Sequence, residues 1–167
     1  MVLRRSETLW RLFWSVAALL LLTSCEQRAL PQLSLREAHW KTYTDEELGI
    51  RFQYPDALQP VDEGSVGMLL RYRGGVNVRL VWTDEETARG HGLWVRHQPV
   101  AEASLGGLPA QKFLYDHWDG PSFVRTESYV TSYRGKLLGL EFRPGGLPEE
   151  GRRRLLDSFQ FLQEPAN

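Results

Sequence analysis

VGMLLRYRGGVNVRLVW, residues 66–82, decides the fold. Val66, Met68, Leu70 and Tyr72 alternate with other residues before Gly74-Gly75, and Val76, Val78, Leu80 and Trp82 alternate after it. A period of two is that of a strand with one buried face, and glycines between two such runs mark a hairpin. A two-residue Gly74-Gly75 turn pairs Leu70 with Arg79 and sends the two apolar rows to opposite faces. A three-residue loop, Arg73 to Gly75, pairs Tyr72 with Val76 and Leu70 with Val78, so both rows share one face. Burying about eight apolar side chains at roughly 1.5–3 kcal/mol each outweighs any turn preference, and the second register is expected. It leaves Arg71, Arg73 and Arg79 on or near the other face.

The same pattern extends both ways. Thr42 to Thr44 and Ile50, Phe52 and Tyr54 predict a short hairpin around Asp45-Glu46-Glu47, closed by Pro55. Thr83-Asp84-Glu85-Glu86 predicts a helix start with acids in the first turn, in a segment running to Trp94 that Gly90 and Gly92 interrupt. Strands are expected at 100–105 and 110–118, separated by Gly106-Gly107-Leu108-Pro109. A further hairpin joins 123–133 to 137–142 across Arg134-Gly135, with its register open. Pro148-Glu149-Glu150 opens a last helix, with Arg152 to Arg154 towards its negative end and Leu155, Leu156 and Phe159 on its buried side. Antiparallel strands followed by a short helix give the α+β class, a central antiparallel sheet flanked by helices.

Three stretches resemble one family. Gly49-Ile50-Arg51-Phe52-Gln53-Tyr54-Pro55 is similar to the opening strand of PsbP-like domains. Gly107-Leu108-Pro109-Ala110 resembles their central turn, and Leu155-Leu156-Asp157-Ser158-Phe159 their closing helix. The resemblance spans about residues 40–163 and implies an α/β/α sandwich of the Mog1/PsbP type. The sequence departs from the family at its glycine-broken middle helix and at Asp56-Ala57-Leu58, where a tryptophan commonly follows the proline.

The start of the chain carries a different signal. Arg4 and Arg5 precede an apolar run, Leu12 to Leu22, about half as long as a membrane span of about 20 residues. Leu22-Thr23-Ser24-Cys25 follows, holding the chain's only cysteine. This resembles the lipobox of bacterial lipoproteins, which implies cleavage before Cys25 and acylation of its thiol. The alternative is an ordinary secretory leader with a chance cysteine. Ser6-Glu7 does not fit the apolar residues expected after a twin-arginine pair. The expected organisation is a signal peptide at 1–24, a lipidated start and tether at 25–39, a domain at 40–163 and a tail at 164–167. The protein is then anchored through Cys25 to the cell membrane or outer membrane, facing the extracytoplasmic space. Without residues 1–24, which hold three arginines and one glutamate, the formal charge falls from -1 to -3. Such a body lacks the basic excess that phosphates need, so nucleic acid is not the expected partner.

Catalytic motifs are missing from the sequence. There is no HExxH, paired CxxC or Walker-type loop, and Gly64-Ser65-Val66-Gly67 is not a nucleophile elbow. His91, His97 and His117, the last beside Asp116, form a candidate site for zinc or manganese if their segments pack together. Asp45-Glu46-Glu47 and Asp84-Glu85-Glu86 are candidates for a cation or a basic partner, against a turn and a helix start. Trp40, Trp82, Trp94 and Trp118 are candidates for an aromatic binding face, with Trp82 in the buried row. The expected function is a non-catalytic binding or accessory module, without cofactor or enzyme activity, for a protein partner in the membrane or envelope. A metal- or small-ligand-binding lipoprotein is the alternative.

Overall fold

A computed structural model describes residues 33–62, 64, 67–73, 75–119, 122–143 and 145–162. The leader, Leu22 to Cys25, Val66 and Gly74 lie outside the described residues, as do the side chains at 117–119, 122 and 123.

Among the described residues, ten strands form two antiparallel sheets. Strands β1 (Trp40–Asp45), β2 (Ile50–Pro55) and β10 (Gln160–Phe161) make a small sheet in the order β1-β2-β10. The large sheet runs β3-β4-β5-β9-β8-β7-β6, from β3 (Gln59–Asp62), β4 (Gly67–Tyr72), β5 (Gly75–Thr83), β6 (Ala101–Leu105), β7 (Leu108–Asp119), β8 (Ser122–Tyr133) and β9 (Lys136–Phe142). Helix α1 (Glu85–Gly90) and a 3-10 turn (Trp94–Arg96) follow β5, and α2 (Glu149–Ser158) follows β9. The result is the mixed α+β class, an antiparallel sheet flanked by helices.

The decisive hairpin keeps Leu70 opposite Val78 and Met68 opposite Leu80, so the apolar rows share a face as expected. The tip differs. Arg71 pairs with Val76 and Tyr72 with Gly75, not with Val76, because Asn77 is inserted as a bulge. Asn77 is buried, its carbonyl accepts from the Arg143 N–H, and Gly146 lies close over its side chain. Arg73 takes a positive φ of 48° in the turn.

A second correction concerns the faces. Met68, Leu70, Val78, Leu80, Leu138, Leu140 and Phe142 meet Phe52, Leu155 and Phe159 in the main core, under the small sheet and α2. The opposite face is covered as well. Val81, Phe113, Tyr115 and Val130 pack against Ala88, Leu93 and Trp94 of the α1 segment. Arg79 therefore does not face open water; its Nη1 lies 3.9 Å from a carboxylate oxygen of the buried Glu141.

Tight turns set the outer registers. Leu105 pairs with Leu108 across Gly106-Gly107, both at positive φ, so β7 already includes Leu108 and Pro109. Tyr133 pairs with Lys136 across Arg134-Gly135, which fixes the last hairpin as a two-residue one. Two short strands, β3 and β10, carry no alternation long enough to be read from sequence. The arginines of α2 also fall differently: the helix runs on to Ser158 and its last turn holds no basic residue. Leu33 is buried in the main core and Leu35 packs against it, both within the stretch read as a tether.

Glu127 fastens α2 to the large sheet. Its carboxylate takes Arg152 Nη1 at 3.1 Å, Lys112 Nζ at 2.9 Å and the Tyr129 hydroxyl at 2.7 Å. Burial works against ionisation, yet the Tyr129 hydroxyl and the two cations hold its pKa below the ordinary glutamate value. A folded-state pKa below the unfolded one means stability that is present above the unfolded value and lost as pH falls through the folded one. Thermal melts should fall more steeply below about pH 4.5 than those of Glu127→Gln, which lacks this proton uptake.

Candidate functional site

The histidines do not converge. His91 ends α1, where its N–H donates to the Thr87 carbonyl, and its side chain is exposed. His97 ends the 3-10 turn and stacks on Tyr115, ring centroids 4.8 Å apart. Asp116 follows Tyr115 in the same strand and so points to the opposite face from it. There it takes Arg125 through two oxygens, at 3.0 and 3.1 Å. The His117 side chain is outside the described set. Among the described residues no group of three or more His, Cys, Asp and Glu side chains is placed to hold a metal ion.

The two acidic triplets have different fates. Asp84 caps α1: its carboxylate accepts the Thr87 N–H at 2.7 Å and the Thr87 hydroxyl at 3.0 Å, and these bonds lower its pKa. Glu85 pairs with Arg89 one turn on. That triplet is helix chemistry. In the other triplet, Asp45 shapes the β1–β2 turn by accepting the Leu48 N–H at 2.8 Å, but the turn also forms one wall of a cavity of about 410 Å³.

Three parts of the chain build this cavity. The end of β1 and its turn supply Tyr43, Asp45, Glu47 and Leu48. The β3–β4 hairpin supplies Pro60, Asp62, Gly64, Gly67 and Met68, and Trp82 comes from β5. Tyr43 is held by its ring contact with Phe52, centroids 5.1 Å apart, and its hydroxyl lies 3.4 Å from Asp45. Burial, then the charges of Asp45 and Asp62, push the Tyr43 hydroxyl up to about 12. The cavity lining is therefore acidic, with two cations at its margin: Lys136 on the Trp82 ring and Arg134, which donates to the Glu47 carbonyl at 2.9 Å. Among the described residues no salt bridge neutralises Asp45, Glu47 or Asp62. Among the described residues that line it there is no histidine, cysteine or basic side chain.

The tryptophans divide between roles. Trp94 is buried against Gly139, whereas Trp40 lies beneath Arg154, whose guanidinium carbon is 4.2 Å from the ring centroid. Trp82 is only partly buried and lines the cavity, with Lys136 Nζ 4.1 Å from its ring centroid. A common aromatic face is not formed by Trp40, Trp82 and Trp94. Asp62 and Met68 drew no functional attention in the sequence. The acidic turn was visible there, but its meeting with the β3–β4 hairpin depends on the approach of two separate sheets.

No family model matches the chain, and no curated protein does. Solved structures are similar to it. A crystal structure from Bacteroides thetaiotaomicron VPI-5482 shares 10% identity at a TM-score of 0.54, over 74% of this chain and 49% of that one. The chain thus spans about half the length of that protein, and at this identity the likeness concerns the fold alone. The solution structure of cyanobacterial PsbP from Synechocystis sp. PCC 6803 shares 15% identity at a TM-score of 0.47, over 79% of this chain and 98% of that one.

Proposed function

We propose that the chain is a lipid-anchored extracytoplasmic lipoprotein, and that its PsbP-like domain is a non-catalytic binding or accessory module for a protein complex of the membrane or envelope. The observation that carries the binding role is the cavity beside the β1–β2 turn. It gathers aromatic walls and carboxylates in one concave place, as ligand sites do, and among the described residues its lining holds no serine or cysteine. The PsbP-like reading rests on the three motifs. Their residues Phe52, Tyr54, Leu155 and Phe159 are core side chains, and Gly107 takes φ 85° in its turn.

The anchor reading rests on Leu22 to Cys25 following the apolar run. Among the described residues no helix is long and apolar enough to cross a membrane. Two or three acyl chains, at about 0.8 kcal/mol per buried methylene, hold a protein to a bilayer durably. Eight residue steps separate Cys25 from the buried Leu33, at most about 28 Å of extended chain. The domain would ride close to the bilayer.

Replacing Cys25 with serine is expected to abolish fatty-acid incorporation and leave an unprocessed precursor. Radioactive palmitate labelling, with the two proteins compared on a gel, checks this; equal labelling refutes the anchor. Cross-linking in intact cells, followed by identification of co-purified proteins, tests the accessory role. Recovery of no envelope protein would count against it.

A further inference from the structure

We propose that the hairpin arm made by the ends of β7 and β8 rests its aromatic tip on the lipid bilayer that holds the anchor. This rests on the anchor reading and gives the anchored domain a second contact with the membrane. The arm follows from the strand registers. Pairing of β8 with β9 ends at Glu127 and Phe142, and pairing of β6 with β7 ends at Ala101 and Lys112. Strands β7 and β8 continue together past both points, as far as Asp119 and Ser122. Among the described residues no third strand accompanies them there. From Glu127 to Ser122 the arm runs for five residue steps, roughly 17 Å.

One face of the arm suits a membrane–water boundary. Residues two apart in a strand share a face, so Leu114, Asp116 and Trp118 of β7 lie opposite Glu127, Arg125 and Phe123 of β8. Leu114 is apolar and yet 46% exposed. On the next rung the Asp116 carboxylate takes Arg125 at 3.0 and 3.1 Å, so that rung adds little net charge to oppose a neutral headgroup. Trp118 and Phe123 are register partners on the rung beyond. The other face is occupied at the foot of the arm, where Tyr115 and Thr126 are buried and His97 stacks on Tyr115. An aromatic pair at the far end with an ion pair one rung behind matches the boundary, which takes rings at headgroup depth and leaves charges in water.

The place where the N-terminal segment joins the domain selects a bilayer as the occupant. Leu35 touches the first turn of α2 at Gly151. Arg152, next in that turn, reaches Glu127 at the foot of the arm, with Nη1 at 3.1 Å. The N-terminal segment and the arm therefore leave the same end of the large sheet. The eight residue steps from Cys25 to Leu33 reach about 28 Å at full extension and about 16 Å as a coil, and the arm's roughly 17 Å falls between. A bilayer that holds Cys25 is thus within reach of the tip. The β1–β2 turn lies at the opposite end, where Arg134 of the β8–β9 turn donates to the Glu47 carbonyl. Held by anchor and arm, the domain keeps that turn away from the membrane.

The test uses the acylated protein, purified from membranes and returned to phosphatidylcholine vesicles. Acylation of Cys25 leaves an added cysteine as the only free thiol. An environment-sensitive fluorophore is placed on Ser122→Cys in the arm or on Glu46→Cys, an exposed position in the β1–β2 turn. A lipid with a nitroxide near the top of its acyl chain should quench the arm label at least about threefold more than the turn label. Trp118→Ser/Phe123→Ser should bring the arm label down to the level of the turn, whereas the exchange Trp118→Phe/Phe123→Trp should keep it quenched. Equal quenching at the two positions, or no change in the serine variant, overturns the proposal. So does an arm label shielded from aqueous iodide but untouched by the nitroxide lipid, the result that a protein partner or a second copy would give. Palmitate labelling of the same preparations reads the anchor separately. Protein without palmitate refutes the anchor reading and this contact with it, whereas palmitoylated protein with an unquenched arm refutes the contact alone.

Discussion

Gly139→Val removes about 3–5 kcal/mol of folding stability, a fall of roughly 10–20 °C in melting temperature. The cause is a single close approach. A Cβ at Gly139 would stand 2.3–2.9 Å from three carbons of the Trp94 ring, which is 1% exposed and seated on that glycine. Neither can give way cheaply: β9 is hydrogen-bonded between β5 and β8, and Trp94 is the largest side chain of the second core. A double-mutant cycle isolates the contact. Gly139→Ala should cost less in a Trp94→Phe background than in the parent, because phenylalanine vacates the space of the outer indole carbons. Additive losses, read from thermal or urea melts, would show that another contact sets the penalty.

The second large effect falls on a residue whose place in the strand pattern suggests tolerance. Arg79→Asp is expected to destabilise by about 3–5 kcal/mol, comparably to Leu80→Asp next to it. Alternation assigns Arg79 to the solvent side. In the folded protein it faces Glu141, itself 4% exposed and receiving the Tyr115 hydroxyl at 2.6 Å. An aspartate there sets one carboxylate against another that is almost wholly buried, from a side chain only a quarter exposed. Arg73→Asp is the control. Arg73 is exposed in the hairpin turn at φ 48°, a conformation aspartate accepts, and stability should change by less than about 0.5 kcal/mol. Equal, small losses for Arg79→Asp and Arg73→Asp would mean that the second face of the sheet is open.

The same arginine shows what could be read in the sequence. Alternation at 68–72 and 76–82 placed the hairpin and its core row, because apolar side chains on one face have a period of two whatever lies beyond them. Turn dipeptides placed the other hairpins. What covers the second face was hidden, since Arg79, Tyr115 and Glu141 meet there across strands. Tyr115 donates to Glu141 from 26 residues away. On the core face, Thr131 likewise donates to the carbonyl of Pro109, 22 residues earlier. To a pattern of apolar and polar letters such residues look solvated. The Asn77 bulge was hidden for a similar reason, being set by Arg143 and Gly146 far along the chain. Of the cavity, Trp82 stood out as one of the four candidate tryptophans, and Asp45 and Glu47 as part of an acidic run. Asp62 and Trp82 join them through the packing of one sheet on another, which leaves no local signature.

Strand β10 has a bearing on how the protein comes to be folded. Its two residues pair with the start of β2, joining Phe161 to Ile50. Just before it, the Ser158 hydroxyl oxygen accepts the Gln53 N–H at 2.9 Å, so one edge of β2 is met by the end of α2 and by β10. The early hairpin β1–β2 therefore waits for a closing piece that is made more than a hundred residues later. Contacts of such long sequence separation slow folding and come late in it. A ribosome still holding residues 159–161 would keep the small sheet incomplete and the aromatic stack of Phe52 on Phe159 unformed. The order of synthesis thus delays native closure of the small sheet until residues up to Phe161 are free to reach Ile50.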